Sequence, residues 1–167
     1  MLLDVGYITS TFTLVQGDGI LFQRAFPFGG GYITAALTQK FGLEFDVAEE
    51  LKRKVNLSAV NTGTYDIISL SDNSYHNASE ARLAVKESLD ALCEEIENCM
   101  ENSGYTIPEY VPLLITGGGI SYLRGAKEHV ANRLGATVEI IAPKVPLMDK
   151  PTESSALSLL DLTFAEA

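Results

Sequence analysis

The chain has 167 residues, 46% of them hydrophobic, and carries 22 acidic against 12 basic side chains for a formal net charge of -10. That length suits one domain or two small subdomains able to bury a core without metals or disulfides. The acidity argues against a nucleic-acid partner, because such binding rests on Lys and Arg meeting phosphates. Apolar runs of only a few residues fall short of the roughly 20 that span a bilayer, and the N-terminus lacks the basic flank of a secretory signal.

The first residues, Leu2-Leu3-Asp4-Val5-Gly6, already read as a strand. Domains usually keep some slack before their first core element, so this start suggests a piece of something longer or a strand completing a sheet. Thr9 to Val15 alternates Phe12 and Leu14 against Thr11 and Thr13, and Gln16-Gly17-Asp18-Gly19 is suited to a hairpin turn. Ile20, Phe22, Arg24 and Phe26 then alternate against Leu21, Gln23 and Ala25. Three strands joined by short turns make an antiparallel meander, ended by Pro27 and Gly29-Gly30-Gly31.

The spacing predicts a helix over Tyr32 to Phe41, stopped by Gly42, and a second over Val47 to Val55, capped by Asp46. Asn56 to Asn77 is polar and turn-rich, with a strand-like patch at Tyr65 to Leu70, and reads as part of a smaller subdomain. Asn77-Ala78-Ser79 matches a glycosylation sequon, but without a secretory signal it reads as a helix start. Ser79 to Ser103 is the clearest helix, with Ala81, Val85, Leu89, Leu92, Ile96 and Met100 in an apolar stripe. Its other face carries seven acids against Arg82 and Lys86, a pattern expected of a solvated surface. Cys93 and Cys99 point to different sides of that helix and are expected as buried thiols. His76 and His129 stand far apart without a ligand cluster, so no metal site made of protein side chains is expected.

Val111 to Thr116 fits a buried strand and ends at Gly117-Gly118-Gly119. A helix is predicted from Ser121 to Leu134, stopped by Gly135, then a strand over Thr137 to Ala142. Pro143 to Pro151 reads as a loop, and Thr152 can cap a last helix over Glu153 to Phe164. The order of elements implies an α/β layer with a mixed sheet.

Three glycines delivered by a strand onto a helix start are the strongest local signal. They let the backbone approach a ligand, and helix N-terminal amides favour an anion. A dinucleotide fingerprint fits poorly: Tyr122 stands where G-x-G-x-x-G needs its last glycine, and Glu139 lies mid-strand rather than at a strand end. No P-loop pattern and no serine elbow occur.

The order of features is more telling than any one of them. Strand-Asp-x-Gly, hairpin, Phe26-Pro27-Phe28-Gly29-Gly30, short helix, Ala48-Glu49-Glu50-Leu51-Lys52, long helix, Thr116-Gly117-Gly118-Gly119 and the closing Thr152-Glu153-Ser154-Ser155-Ala156-Leu157 follow one another. This resembles the second half of the actin-like ATPase superfamily, and within it the FtsA family of bacterial cell-division proteins, with PilM-type pilus proteins as near kin. The resemblance covers nearly the whole chain. It implies an actin-like, ribonuclease H-like mixed five-stranded sheet, a three-strand antiparallel meander plus two parallel strands, flanked by helices. Residues 1–42 and 78–167 would form the core subdomain and 43–77 a small inserted one.

The resemblance also implies roles. Asp4 and Gly6 fall where the family's second phosphate loop approaches the β- and γ-phosphates, with the Asp acting on magnesium through water. Glu49 and Lys52 fall where ribose and adenine are contacted, and Gly117, Gly118 and Gly119 match the adenosine loop. ATP with magnesium is therefore implied for a full-length parent. Departures weaken the site: Tyr7 and Ile8 replace two glycines of the family's Asp-Ile-Gly-Gly-Gly-Thr loop, and Thr11 stands where an acid is usual. The superfamily's first half, which supplies the other phosphate loop and the catalytic acid or glutamine, has no counterpart here. No catalytic residue is therefore assigned, and the chain alone is not expected to hydrolyse ATP.

Two functions stay open on these residues. One is a cytoplasmic assembly module whose partners would be its own missing N-terminal half, further copies in a filament, a tubulin-like division protein or pilus components. The other is half of a phosphotransferase, of a sugar-kinase or PilM-like kind, working in an inter-domain cleft. The chain stops at Phe164-Ala165-Glu166-Ala167 with no basic amphipathic tail, so membrane association would come from parts outside it.

Overall fold

Alternation along a four-residue strand sets the architecture. In β1 (Leu2–Val5), Leu3 and Val5 are fully buried while Leu2 and Asp4 point the other way. A computed structural model describes residues 1–59 and 66–165; Tyr65, the start of the strand-like patch expected in the polar segment, lies outside them. The elements that follow are β2 (Ser10–Gln16), β3 (Gly19–Phe26), α1 (Gly30–Phe41), α2 (Phe45–Lys54), β4 (Ile67–Ser69), β5 (Tyr75–Asn77), α3 (Ala78–Asn102), β6 (Leu113–Thr116), α4 (Ala126–Leu134), β7 (Val138–Ile140), a 3-10 turn (Pro151–Glu153) and α5 (Ser154–Ala165).

The main sheet has the order β3-β2-β1-β6-β7. β1 and β2 pair antiparallel with Leu3 opposite Phe12, whereas β1 and β6 run parallel with Leu2 opposite Leu114 and Asp4 opposite Thr116. β6 and β7 continue in parallel. The expected meander plus two parallel strands is what forms. One face, built from Leu3, Val5, Phe12, Leu14, Leu113 and Ile115, packs against Ile33 and Leu37 of α1 and the stripe Val85, Leu89, Leu92 and Ile96 of α3. Ala48, Leu51 and Val55 of α2 belong to the same core, while β4 and β5 form a separate two-stranded ribbon. The opposite face, with Leu2, Asp4, Thr11, Thr13 and Thr116, forms a groove with Ser154, Ser155, Leu159 and Leu162 of α5.

Several boundaries move for physical reasons. α1 begins at Gly30 rather than Tyr32, because the amides of Gly30 and Gly31 are capped by carbonyls of the loop after β1. α2 begins at Phe45, so Asp46 sits in its first turn instead of capping it. α3 starts where the sequon suggested: Asn77 Oδ1 accepts from the amides of Ser79 and Glu80. The largest correction concerns the helix expected from Ser121. Residues after Gly119 run through turns closed by Leu123 N to Ile120 O and Ala126 N to Leu123 O, and Leu57 donates its amide to the Arg124 carbonyl. Gly125 then adopts φ +85°, incompatible with a continuous helix, and α4 starts only at Ala126.

The acidic face of α3 is partly tied down, with Asp90 bonded to His129 at 2.8 Å and Glu97 to Arg133 at 2.9 Å on α4. Cys93 and Cys99 are both buried and free. Burial pushes the Cys93 thiol up to about 12, so it stays protonated and unreactive at neutral pH. Among the described residues no helix is long and apolar enough to cross a membrane.

Candidate functional site

Because β1 and β6 are parallel neighbours, the segments that follow them leave the sheet side by side at the same end, the usual place for a ligand crevice in an α/β sheet. Three glycine-bearing stretches meet there: the loop Gly6-Tyr7-Ile8-Thr9, the α1 start Gly29-Gly30-Gly31 and the turn Gly117-Gly118-Gly119. They are bonded to each other. Gly119 N–H donates to Val5 O at 2.7 Å, Gly30 N–H to Gly6 O at 2.9 Å, and Gly31 N–H to Tyr7 O at 2.8 Å. Gly6 N–H turns back to Thr9 O at 3.0 Å, and Gly117 N–H donates to Pro151 O at 3.1 Å.

This contact between backbones explains the glycines without a ligand. Gly117 has φ +86°, and a Cβ there would sit 2.5 Å from Val5 O. A Cβ on Gly119 would lie 2.5 Å from Gly6 O and 2.6 Å from Val5 Cγ1. At Gly118 the added atom would meet only the Thr152 methyl, at 2.7 Å. The turn does not lie at a helix N-terminus, since α4 begins at Ala126. No helix N-terminus is therefore presented at Gly117–Gly119.

Glu49 and Lys52 stand one turn apart on α2 and face the start of α1. Lys52 is only 1% exposed. Its ammonium donates to Glu49 Oε2 at 2.6 Å, Gly30 O at 2.8 Å and Thr34 Oγ1 at 2.8 Å, which accounts for all three of its N–H groups. Thr34 passes its own proton to Glu49 Oε2 at 2.6 Å, and Arg53 Nε donates to Glu49 Oε1 at 3.1 Å. The rings of Tyr7 and Tyr122 flank Lys52 Nζ at 5.9 and 5.7 Å. Burial pushes the Lys52 ammonium below its usual range, opposed by Glu49. Burial likewise pushes Glu49 up, but the bonds from Lys52, Thr34 and Arg53 outweigh it and hold the carboxyl below its ordinary value. Burial, then the Glu49 charge, raise the Tyr122 hydroxyl.

Asp4 lies on the other face of the sheet. Its carboxylate accepts from Ser155 Oγ at 2.6 Å, and the Thr116 and Ser154 hydroxyls share a bond at 2.6 Å, so this corner anchors α5. The structure thus gathers Gly6, Gly117, Gly118 and Gly119 with the Glu49–Lys52 pair, joined through Gly30, while Asp4, whose Oδ1 abuts Gly117, turns its other oxygen to Ser155. Sequence reasoning missed Thr34 altogether, and it named Gly30, Tyr122 and Ser155 without giving them a place in the site.

An ATP phosphate does not fit this arrangement well. The amides of Gly6, Gly117 and Gly119 and all the donors of Lys52 already have protein partners, and Asp4 is held by Ser155. Tyr7 and Ile8 project from the loop, 52% and 75% exposed.

The family model described as cell division protein FtsA matches residues 1–158. No curated protein matches the chain. Among solved structures, the PilM–PilN type IV pilus biogenesis complex aligns with TM-score 0.70 and 21% identity, over 95% of this chain and 44% of that one. MreB5 of Spiroplasma citri bound to ADP gives 0.69 and 12%, over 98% and 53%. The ethanolamine utilization protein EutJ of Carboxydothermus hydrogenoformans gives 0.63 and 20%, over 90% and 46%. At these identities the likeness shows the fold, and the chain spans about half the length of each solved chain.

Proposed function

The chain belongs to the FtsA family of cell division proteins, and from that premise we propose that it is an assembly domain, the second half of an FtsA-like actin homologue working in cell division or a related cytoskeletal structure. One observation carries the reading: the phosphate loop, the glycine turn and Lys52 are closed on one another by the protein's own hydrogen bonds. Residues 1–42 and 78–167 act as the core and 43–77 as a smaller insertion. Nucleotide binding through Asp4, Gly6, Glu49, Lys52 and Gly117–Gly119 belongs to a two-lobed molecule, in which a second half opens and completes this wall. The partners are that half, other copies of the chain, and a tubulin-like division protein or pilus-type components. The domain works in the cytoplasm.

Several relatives support this by what they are: one complex joins PilM to PilN, MreB5 was solved with ADP, and a MamK variant is described as non-polymerising and bound to AMPPNP. The competing reading, half of a phosphotransferase, asks for donors that are free to follow a moving phosphoryl group. Here the amides of Gly6, Gly117 and Gly119 and the ammonium of Lys52 are engaged. A steady-state phosphate-release assay with Mg-ATP tests the choice. The assembly reading expects no turnover above buffer from the chain alone. Sustained turnover that falls in the Glu49→Gln variant overturns it.

A further inference from the structure

The main sheet ends on one side in β3, which pairs with β2, and on the other in β7. β7 is blunted by its length of three residues. β3 is the longest strand of the sheet, with eight residues, and its outer row of N–H and C=O groups has no strand beside it among the described residues. Soluble proteins protect such an edge with charges, a proline, a bulge or a covering element. Here the bulge at Leu14–Val15 lies toward the turn and Pro27 falls just past the end, which leaves Phe22 to Phe26 in regular register. Gln23, Arg24 and Ala25 are exposed, and Arg24 is the only charge in the strand.

An open edge of this kind takes a further strand. Charge selects which. Between Asp18 and Glu44 the sequence holds no acid, and its charges there are Arg24 and Lys40. In a chain of net charge -10, this stretch repels a second copy least. Glu95 of α3 and Arg24 both act on the Cys99 thiol, with opposite sign, so the helix side of the edge carries both charges. The two faces of β3 also suit self-pairing. Phe22 and Arg24 project to the helix side, where Phe22 meets Phe12 with ring centroids 6.4 Å apart. Gln23 projects to the other face and donates to Thr13 Oγ1 at 3.3 Å. Antiparallel pairing about a two-fold axis at Arg24 would set two guanidinium groups directly opposite each other, which is destabilising. An axis at Gln23 instead sets Arg24 of each copy opposite Phe22 of the other, cation beside ring. The two Gln23 amides, each both donor and acceptor, then face one another. Asp18 of each copy lies past Phe26 of the other, clear of any acid on that strand.

We propose that β3 pairs antiparallel with β3 of a second copy about a two-fold axis at Gln23, joining the two sheets into one; this rests on the assembly reading and names a surface for its copy-to-copy contact. Both copies use the same patch. The contact is therefore isologous and closes at a dimer. So short a pairing buries little area, and the dimer is of the weak, concentration-dependent kind.

Sedimentation over a range of concentrations tests it with two variants at an exposed position, Gln23→Lys and Gln23→Glu. The wild type should pass from monomer to dimer as concentration rises, with no larger species. Each variant alone should stay monomeric, because the axis sets like charges directly opposite. Each should also unfold, when dilute, close to the wild-type temperature. An equal mixture should dimerise again, since lysine then faces glutamate, a rescue that requires position 23 to oppose itself. Wild-type dimers that persist in both variants, species larger than a dimer, or variants that fail to recover on mixing overturn this contact and leave self-association standing. A wild type that remains monomeric at its highest soluble concentration overturns the contact and the self-association part of the assembly reading together.

Discussion

Gly119→Ala should lower unfolding stability by about 3 kcal/mol, within the range of severe single substitutions, or roughly 6–12 °C in Tm for a chain of this size. The new methyl would lie 2.5 Å from Gly6 O and 2.6 Å from Val5 Cγ1, and it would push apart the two strand ends joined by the Gly119–Val5 bond. Gly117→Val should do at least as much, since it adds backbone strain at φ +86°. Gly118→Ala meets only the Thr152 methyl and should shift the transition least. Thermal melts of the three variants separate two explanations of the triple glycine. A turn kept open solely for a ligand gives wild-type melting in Gly118→Ala and Gly119→Ala; a turn packed backbone to backbone gives the ranking above.

Lys52→Met should cost about 3 kcal/mol, the lower end of the range for removing one partner of a buried ion pair. The methionine keeps the buried volume but leaves the Gly30 carbonyl and part of Glu49 without a donor. The cost stays near the lower bound because Glu49 retains Thr34 and Arg53. The double variant Lys52→Met/Glu49→Gln should recover part of the loss, since the two residues act as a unit. Urea titrations at several pH values give a second readout. Glu49 is held below its ordinary value, so its contribution is present above the free carboxyl's pKa, about 4.3, and is lost as acid is added through the lower folded value. Lys52 works the other way. Its folded value is depressed, so the unfolded chain holds the proton more tightly, and stability from this group rises as pH climbs toward the free lysine value of about 10.4. In Lys52→Met the alkaline rise should disappear.

The sheet was readable because its strands alternate or run apolar in ways that only buried β-structure satisfies: Phe12 and Leu14 against threonines, then Leu113 to Ile115 as one run. Asn77 could be assigned as the α3 cap because an Asx side chain ahead of an apolar helical stripe has few other uses. What stayed hidden depends on partners far along the chain. The bond from Ser155 to Asp4 could not be read, because the face that Asp4 takes follows from its strand's register with β2 and β6. Glu49 and Lys52 read correctly as one helix face, yet spacing says nothing about whether that face meets water or the start of another helix. The helix expected from Ser121 failed because Leu57 and Ser58, more than sixty residues earlier, pack against Gly125 and hold it left-handed.

The most direct test of the closed cradle is calorimetric titration of Mg-ATP into the chain alone. With the amides of Gly6, Gly117 and Gly119 and the ammonium of Lys52 already bonded within the protein, no saturable heat is expected. A saturable isotherm with Kd tighter than about 10 µM, abolished in Glu49→Gln, would show that this wall binds nucleotide unaided and would contradict the closed arrangement.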